Sequence, residues 1–122
     1  MKKGAKTRKL KNFIIPISLK DRLVVKIWIV KGQVIKFSVT YLRKIKQGWL
    51  AIKRCDNSHF YQDEGYIEPH CHIMAYKERE LYKQPLKGEP KDLLNAIIKD
   101  FKTRRKILLE NYFNNNYERK NN

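Results

Sequence analysis

A two-residue alternation of apolar and other side chains runs through most of the first two thirds of this sequence. Every second residue from position 23 to 29 is Leu, Val or Ile, and a similar alternation returns over residues 33–42, 49–54 and 66–76. This period is that of a β-strand, whose successive side chains point to opposite faces of a sheet. The alternation therefore predicts that these segments pair as neighbouring strands.

The residues between the predicted strands indicate how the strands are connected. Lys31-Gly32 separates two of the strands, and a tight hairpin is the simplest connection. A further strand over residues 13–18 contains Pro16, which cannot donate a hydrogen bond to a ladder, so it is expected at a sheet edge. Residues 77–88 are charged and are predicted to be a connection, with one helical turn at 78–82. The alternation over residues 49–54 predicts that one strand face carries Leu50, Ile52, Arg54 and Asp56.

A helix is predicted after the strands. Pro90 stands at a favoured first helical position, and Asp92 follows in the first turn. Apolar residues then recur mostly every three to four positions, at Leu94, Ile97, Ile98, Phe101, Leu108, Leu109 and Tyr112. The expected fold is α+β, an antiparallel β-meander of about five strands with a long C-terminal helix packed on one face. It forms a single domain over residues 12–113, between a basic flexible arm (1–11) and a polar disordered tail (114–122).

The charge of the chain points to a polyanionic partner. Lys and Arg number 28 against 12 Asp and Glu, which gives a formal net charge of +16. Nucleic acid is the natural partner of so basic a chain, and we expect RNA in preference to DNA. No segment reaches the roughly 20 apolar residues that cross a bilayer, and a cytoplasmic location is expected. The predicted nucleic-acid-binding residues are Lys53, Arg54, Lys99, Lys102, Arg104 and Arg105.

Side chains that can move protons or hold a metal are concentrated in residues 54–72. This segment contains every histidine and both cysteines of the chain. His70 and His72 should project from the same face of one strand, because they are two residues apart. If that strand pairs with the strand ending near Arg54, Asp56 and His59 lie close to them. The candidate catalytic residues are therefore Asp56, His59, His70 and His72.

Three interpretations fit this cluster. In the first, RNA is cleaved without a metal: one neutral histidine acts as base, a protonated one acts as acid, and Lys46, Lys53 or Arg54 stabilises the transition state. In the second, His59, His70, His72 and Asp56 hold zinc or manganese, with Cys55 or Cys71 as a further ligand. In the third, the histidines and buried cysteines are structural. A Cys55–Cys71 disulfide is geometrically conceivable, but a reducing compartment disfavours it.

The segment Arg54-Cys-Asp-Asn-Ser-His59, followed by His70-x-His72, resembles the signature of small toxin-like proteins of the TumE type. In this sequence Cys55 stands where those proteins have Tyr, and Phe60 stands where they have Gly. The resemblance implies a β-meander with a C-terminal helix, a toxin of a toxin–antitoxin pair and nuclease action on RNA. It also implies an antitoxin protein as partner. Functional residues carried over by the resemblance are Asp56, Asn57, His59, His70 and His72.

The preferred hypothesis is a small RNA-cleaving toxin. His59 would act with His70 or His72 as acid and base, and Asp56 would orient an imidazole or help to hold a divalent metal. No other cofactor is expected. The alternative is a nucleic-acid-binding accessory protein or ribonucleoprotein subunit that has structural histidines and no catalytic activity.

Overall fold

The computed structural model describes residues 8–57 and 68–114. Six antiparallel strands form one sheet in which each strand pairs with the next along the chain. Two helices follow the strands, so the predicted α+β meander is confirmed. The strands are β1 (Arg8–Pro16), β2 (Asp21–Val30), β3 (Gln33–Ile45), β4 (Gly48–Asp56), β5 (His70–Ala75) and β6 (Arg79–Pro85), and the helices are α1 (Pro90–Thr103) and α2 (Arg105–Asn114).

The predicted hairpin between β2 and β3 is confirmed. Val30 pairs with Gln33, and Lys31 and Gly32 both have positive φ, at 51° and 77°. Two central residues with positive φ match the right-handed twist of the strands they join. The next turn is equally short: only Lys46 and Gln47 separate β3 from β4, so these strands are longer than predicted.

A β-bulge changes which side chains of β4 face the core. Tyr41 pairs with Lys53 and Leu42 with Ala51, which leaves Ile52 as an extra residue on β4. Such an insertion interrupts the alternation of faces. Ile52 and Leu50 consequently pack in the core with Cys55, and the prediction that they share a face with Arg54 and Asp56 is wrong.

The sixth strand lies where a connection was predicted. β6 pairs with β5 from His70↔Pro85 to Ala75↔Arg79, and a short 3-10 turn at Tyr76–Glu78 joins the two strands. It is the last strand of the sheet, and all its residues except Leu81 are exposed. An edge strand exposed on both faces has little apolar alternation, which is why the sequence pattern missed it.

The C-terminal helical region is two helices and not one long helix. α1 ends at Thr103, and Arg104 has φ −106° and ψ 22°, outside the helical range, before α2 begins. Both helices pack on the same side of the sheet. They bury Leu94, Ile97, Phe101, Leu108 and Tyr112 against a core that includes Val25, Val39, Tyr41, Cys55 and Cys71.

Buried Asp21 fixes α2 to the sheet. Its carboxylate accepts hydrogen bonds from Tyr41 Oη at 2.8 Å, Arg43 Nη1 at 2.8 Å and Arg105 Nη1 at 2.9 Å. Ser18 Oγ donates a fourth bond at 2.6 Å. Burial by itself raises the pKa of Asp21, but these hydrogen bonds outweigh it and hold the pKa below its usual range. Arg105 therefore has a structural role in joining α2 to β2.

The boundary of the predicted N-terminal arm differs from the one that the structure shows. β1 begins at Arg8, so residues 8–11 of the predicted arm belong to the sheet, and residues 1–7 lie outside the described residues. The predicted tail lies outside them from residue 115 onward. Neither described helix is long and apolar enough to cross a membrane.

Candidate functional site

The pairing of β4 with β5 assembles the site. Arg54 pairs with His72, and Asp56 pairs with His70. Between these pairs, Cys55 and Cys71 point into the core on the helix side of the sheet. Because side chains alternate along a strand, the sheet face opposite the helices, here called the distal face, carries Arg54, Asp56, His70 and His72.

Three of these residues bring their polar atoms together. His70 Nε2 lies 3.1 Å from His72 Nε2. Asp56 Oδ1 lies 3.3 Å from His70 Nε2, and Asp56 Oδ2 lies 3.7 Å from His72 Nε2. All three residues are buried, with Asp56 4%, His70 9% and His72 3% exposed. The sequence prediction that these residues converge is supported by this geometry. We refer to Asp56, His70 and His72 as the triad.

The contact made by Nδ1 of each histidine determines which ring nitrogen carries the proton in the neutral form. Nδ1 of His70 lies 2.8 Å from the carbonyl oxygen of Glu68, which can only accept a hydrogen bond. Nδ1 of His72 lies 2.5 Å from Oε1 of Glu80, a carboxylate oxygen. Both Nδ1 atoms therefore donate, and in the neutral form of each ring Nε2 carries a lone pair.

The Arg54 guanidinium contacts two of the triad residues. Its Nη2 lies 3.2 Å from His72 Nε2, and its Nε lies 3.4 Å from Asp56 Oδ2. A guanidinium group only donates, so this contact makes His72 Nε2 an acceptor. The Arg54 side chain is 46% exposed. It therefore links the buried triad to the surface of the distal face.

Among the described residues, one buried triad atom lacks a hydrogen-bond partner. Asp56 Oδ1 is buried, and within residues 8–57 and 68–114 no group donates a hydrogen bond to it, since the contact with His70 lacks hydrogen-bond geometry. An ionised oxygen in this situation is unfavourable unless a positive charge lies beside it. Such buried unpartnered atoms mark places where a ligand or ion completes the structure.

Glu80 is a functional candidate that the sequence analysis did not identify. It lies on β6, and its hydrogen bond from His72 holds the pKa of its carboxyl group below the usual range, although burial opposes this. A bulge at Leu81 on β6 follows from the pairs Ile73↔Tyr82 and Met74↔Glu80. The contact depends on a strand pairing and a bulge, and no local sequence signal indicates either.

Asn57, carried over by the resemblance, has a clear structural role. Its Oδ1 accepts a hydrogen bond from Phe37 N at 2.8 Å, and its Nδ2 donates to Ile35 O at 3.1 Å. Its backbone N–H donates to Phe37 O. The side chain thus holds the end of β4 against β3 and fixes the position of the adjacent Asp56.

The cysteines form a disulfide, contrary to the expectation that they stay reduced. Cys55 and Cys71 are direct partners across β4 and β5, and their Sγ atoms are bonded. The bond lies between the pairs Arg54↔His72 and Asp56↔His70. It therefore holds in register the two strands that carry the triad.

The remaining predicted site residues are distributed over both sides of the sheet. Lys53 points toward the helices, where its Nζ lies 5.9 Å from the Phe101 ring centroid. Burial lowers the pKa of Lys53, with Asp100 opposing and Arg104 adding to the shift. The α1 residues Lys99 and Lys102 and the adjoining Arg104 are exposed on the helix side. Among the six predicted nucleic-acid contacts, Arg54 is the one on the distal face. His59 lies outside the described residues.

The spacing of the two imidazoles limits their chemistry. In-line cleavage at phosphorus places attacking and leaving oxygens on opposite sides, so the acid and the base that serve them also lie on opposite sides of the phosphate. Nε2 atoms at 3.1 Å cannot flank a phosphate in this way. His70 and His72 can instead act on the same side of a substrate, as one base or as ligands of one metal ion.

A protein-family model described as a domain of unknown function (DUF7718) matches residues 4–120. No curated protein and no solved structure matches the chain.

Proposed function

The chain belongs to the DUF7718 family, and we propose that it is a small basic enzyme that cleaves RNA at the triad of Asp56, His70 and His72. The observation that carries this proposal is the convergence of two imidazoles and a carboxylate within 4.8 Å of one another, beside the half-exposed Arg54. A structural role alone does not need an unpartnered carboxylate oxygen at the centre of such a cluster.

The triad and its neighbours have separate roles in the proposed cleavage. A neutral imidazole of the triad accepts the proton of the nucleophile, either the 2′-hydroxyl of RNA or a water molecule, whose oxygen forms the new bond to phosphorus. The bond from phosphorus to the leaving oxygen breaks, and that oxygen takes a proton from solvent water. Glu80 and the carbonyl of Glu68 hold the two rings in orientation through Nδ1. Arg54 stabilises negative charge at the phosphate, since its guanidinium already faces the triad and reaches solvent.

Further basic side chains on the distal face support an RNA path across it. Lys83 on β6 pairs with His72, and Lys26 on β2 pairs with Ser38, which in turn pairs with Asp56. Both lysines are exposed. Phosphate contacts of this kind position a strand without reading its sequence. The net charge of +16 favours association along the whole path.

The test is cleavage of labelled single-stranded RNA by purified protein, with and without EDTA. The proposal expects cleavage by the wild type and its loss in His70→Ala and His72→Ala. Asp100→Asn, a change to a carboxylate on the helix side, is the matched control and should cleave normally. Salt-dependent RNA binding should survive in all variants. Absence of cleavage by the folded wild type under both conditions would overturn the proposal.

The alternative function is nucleic-acid binding without catalysis. It is favoured by the exposed Lys99, Lys102 and Arg104, which lie on the side of the sheet away from the triad. If these residues form the main binding surface, Lys99→Ala/Lys102→Ala should weaken RNA binding more than Lys26→Ala/Lys83→Ala. Each double variant removes two positive charges, so a difference in RNA binding between them reports where the charges lie and not how many there are.

We further propose that the enzyme is a toxin, neutralised in the cytoplasm by an antitoxin protein. The motif that resembles TumE-type toxins supports this role, and a basic surface suits an acidic partner segment. Induced expression in a bacterial host should arrest growth, and His72→Ala should relieve the arrest at equal protein level. Equal arrest by both proteins would contradict a toxic activity located at the triad.

A further inference from the structure

We propose that the triad binds one divalent transition-metal ion, zinc in the first instance, through Nε2 of His70, Nε2 of His72 and the carboxylate of Asp56. The proposal goes beyond RNA cleavage and does not depend on it, because the site is defined by its own donor atoms.

Acceptor atoms converge at the triad. Both Nδ1 atoms donate, so in the neutral forms of the rings both Nε2 atoms are acceptors, and they lie 3.1 Å apart. Arg54 contacts His72 Nε2 from the surface side and leaves His70 Nε2 without that donor. The ionised carboxylate of Asp56 lies against both Nε2 atoms. Acceptors packed this closely in a buried site repel one another, and a cation among them removes the repulsion.

The distances among the triad atoms are close to those in a zinc site. A four-coordinate zinc ion with bonds of about 2.0–2.1 Å separates its ligand atoms by about 3.3 Å. The three contacts among the triad residues are 3.1, 3.3 and 3.7 Å. The 3.3 Å and 3.7 Å contacts are made by different oxygens of Asp56, and one ligand atom from each residue lies within 4.8 Å of the other two. A small adjustment of the carboxylate would therefore give the spacing of a three-ligand zinc site, with a fourth position for water or substrate.

The surroundings of the two rings are also those of metal-binding histidines. Histidines that bind metals almost always donate their second N–H to a carbonyl or carboxylate, which fixes the tautomer and orients the ring. His70 does so to Glu68 and His72 to Glu80. The structure therefore contains both the ligands and the groups that orient them.

A proton shared among the triad is the competing explanation. A second proton on His70 would be donated from Nε2 to His72 Nε2, 3.1 Å away, and would still leave Asp56 Oδ1 without a hydrogen bond in the part of the chain that the structure describes. The donor set also selects among metals. Two imidazoles and one carboxylate suit zinc and its first-row neighbours, whereas magnesium prefers oxygen ligands.

Zinc titration of metal-free protein by isothermal calorimetry tests the proposal, with magnesium as a parallel titrant. One zinc should bind per chain, and magnesium should bind at least about 100-fold more weakly. His72→Ala and Asp56→Asn should weaken zinc binding by at least about 100-fold, and Asp100→Asn should leave it unchanged. Wild-type affinity in His72→Ala, or no zinc binding by the wild type, would overturn the proposal.

Two further steps address zinc binding by the cysteines and possible misfolding of Asp56→Asn. Because thiolates bind zinc, every titration is run without reductant, so that Cys55 and Cys71 stay bonded and offer no thiolate. If Asp56→Asn fails to fold, the absorption spectrum of cobalt-loaded wild type replaces it: nitrogen and oxygen ligands give d–d bands alone, and a sulfur-to-cobalt charge-transfer band would contradict the assignment. Calorimetry uses no RNA, so it tests the metal site independently of cleavage. Zinc binding without RNA cleavage would refute only the proposed function. EDTA-resistant cleavage without zinc binding would refute only the proposed metal site.

Discussion

Oε1 of Glu80 lies 2.5 Å from Nδ1 of His72, so a side chain of the edge strand β6 orients a buried ring on the neighbouring strand β5. Glu80 is itself 44% exposed. A residue that is exposed and yet bonded to a buried imidazole can be changed with little effect on the core. This makes it well suited to separate function from folding.

Glu80→Ala should weaken zinc binding by roughly tenfold, because loss of the group that orients a ligating histidine typically costs 10- to 100-fold in affinity. Competition with a fluorescent zinc chelator measures the change. Glu110→Ala, which removes an exposed glutamate from α2, is the matched control and should bind as the wild type does. Equal affinity in both variants would show that Glu80 does not act on the site.

Arg54→Ala should reduce the rate of RNA cleavage by about 100-fold while zinc binding is retained. Arg54 stabilises charge at the phosphate in our proposal, and removal of one such group typically has this effect. Single-turnover kinetics give the rate of the chemical step. Arg104→Ala removes an arginine from the helix side and should cleave normally. A similar loss in both variants would point to general charge and not to the position of Arg54.

Reduction of the Cys55–Cys71 disulfide should lower the free energy of unfolding by about 3 kcal/mol, the value expected for a closed loop of this length. The two cysteines are 16 residues apart in sequence. Urea unfolding with and without a thiol reductant measures the change. The Cys55→Ser/Cys71→Ser variant should show no response to the reductant. An unchanged wild-type midpoint would mean that strand pairing alone holds β4 and β5 in register.

Asp21→Asn should destabilise the fold by about 3 kcal/mol at neutral pH, because it removes the anion that Arg43 and Arg105 share. The folded-state pKa of Asp21 lies below its usual value of 3.8, so the stability it contributes is fully present above about pH 4. It is lost as the pH falls through the folded-state pKa.

Urea unfolding of both proteins at pH 7 and at pH 2.5 tests this sign. The stability difference between the wild type and Asp21→Asn should be smaller at the lower pH. The comparison of the two proteins cancels the titration of other carboxylates. A difference that grows as the pH falls would contradict the depressed pKa.

The sequence was sufficient to predict the meander and the triad because both follow from local rules. Alternation at every second residue identified β2 and β3, and positive φ at Lys31 and Gly32 is what a two-residue hairpin needs. The spacing of His70 and His72 placed them on one face. Asp56 joined them because β4 and β5 pair as expected.

The predictions that failed concern features that depend on how neighbouring strands pair. The bulge at Ile52 reverses the facing of Leu50, and the pattern of one strand cannot show an extra residue relative to its partner. β6 has polar residues on both faces because it is an edge. The disulfide was disfavoured on grounds of compartment, whereas the cross-strand pairing of Cys55 with Cys71 allows it.

The most direct test is a crystal structure of the zinc-loaded protein, with diffraction recorded above and below the zinc absorption edge. Our account predicts one anomalous peak about 2.0–2.2 Å from Nε2 of His70, Nε2 of His72 and a carboxylate oxygen of Asp56. A peak at Cys55 and Cys71, or no peak at the triad in crystals soaked with zinc, would contradict the assignment of the triad as a metal site.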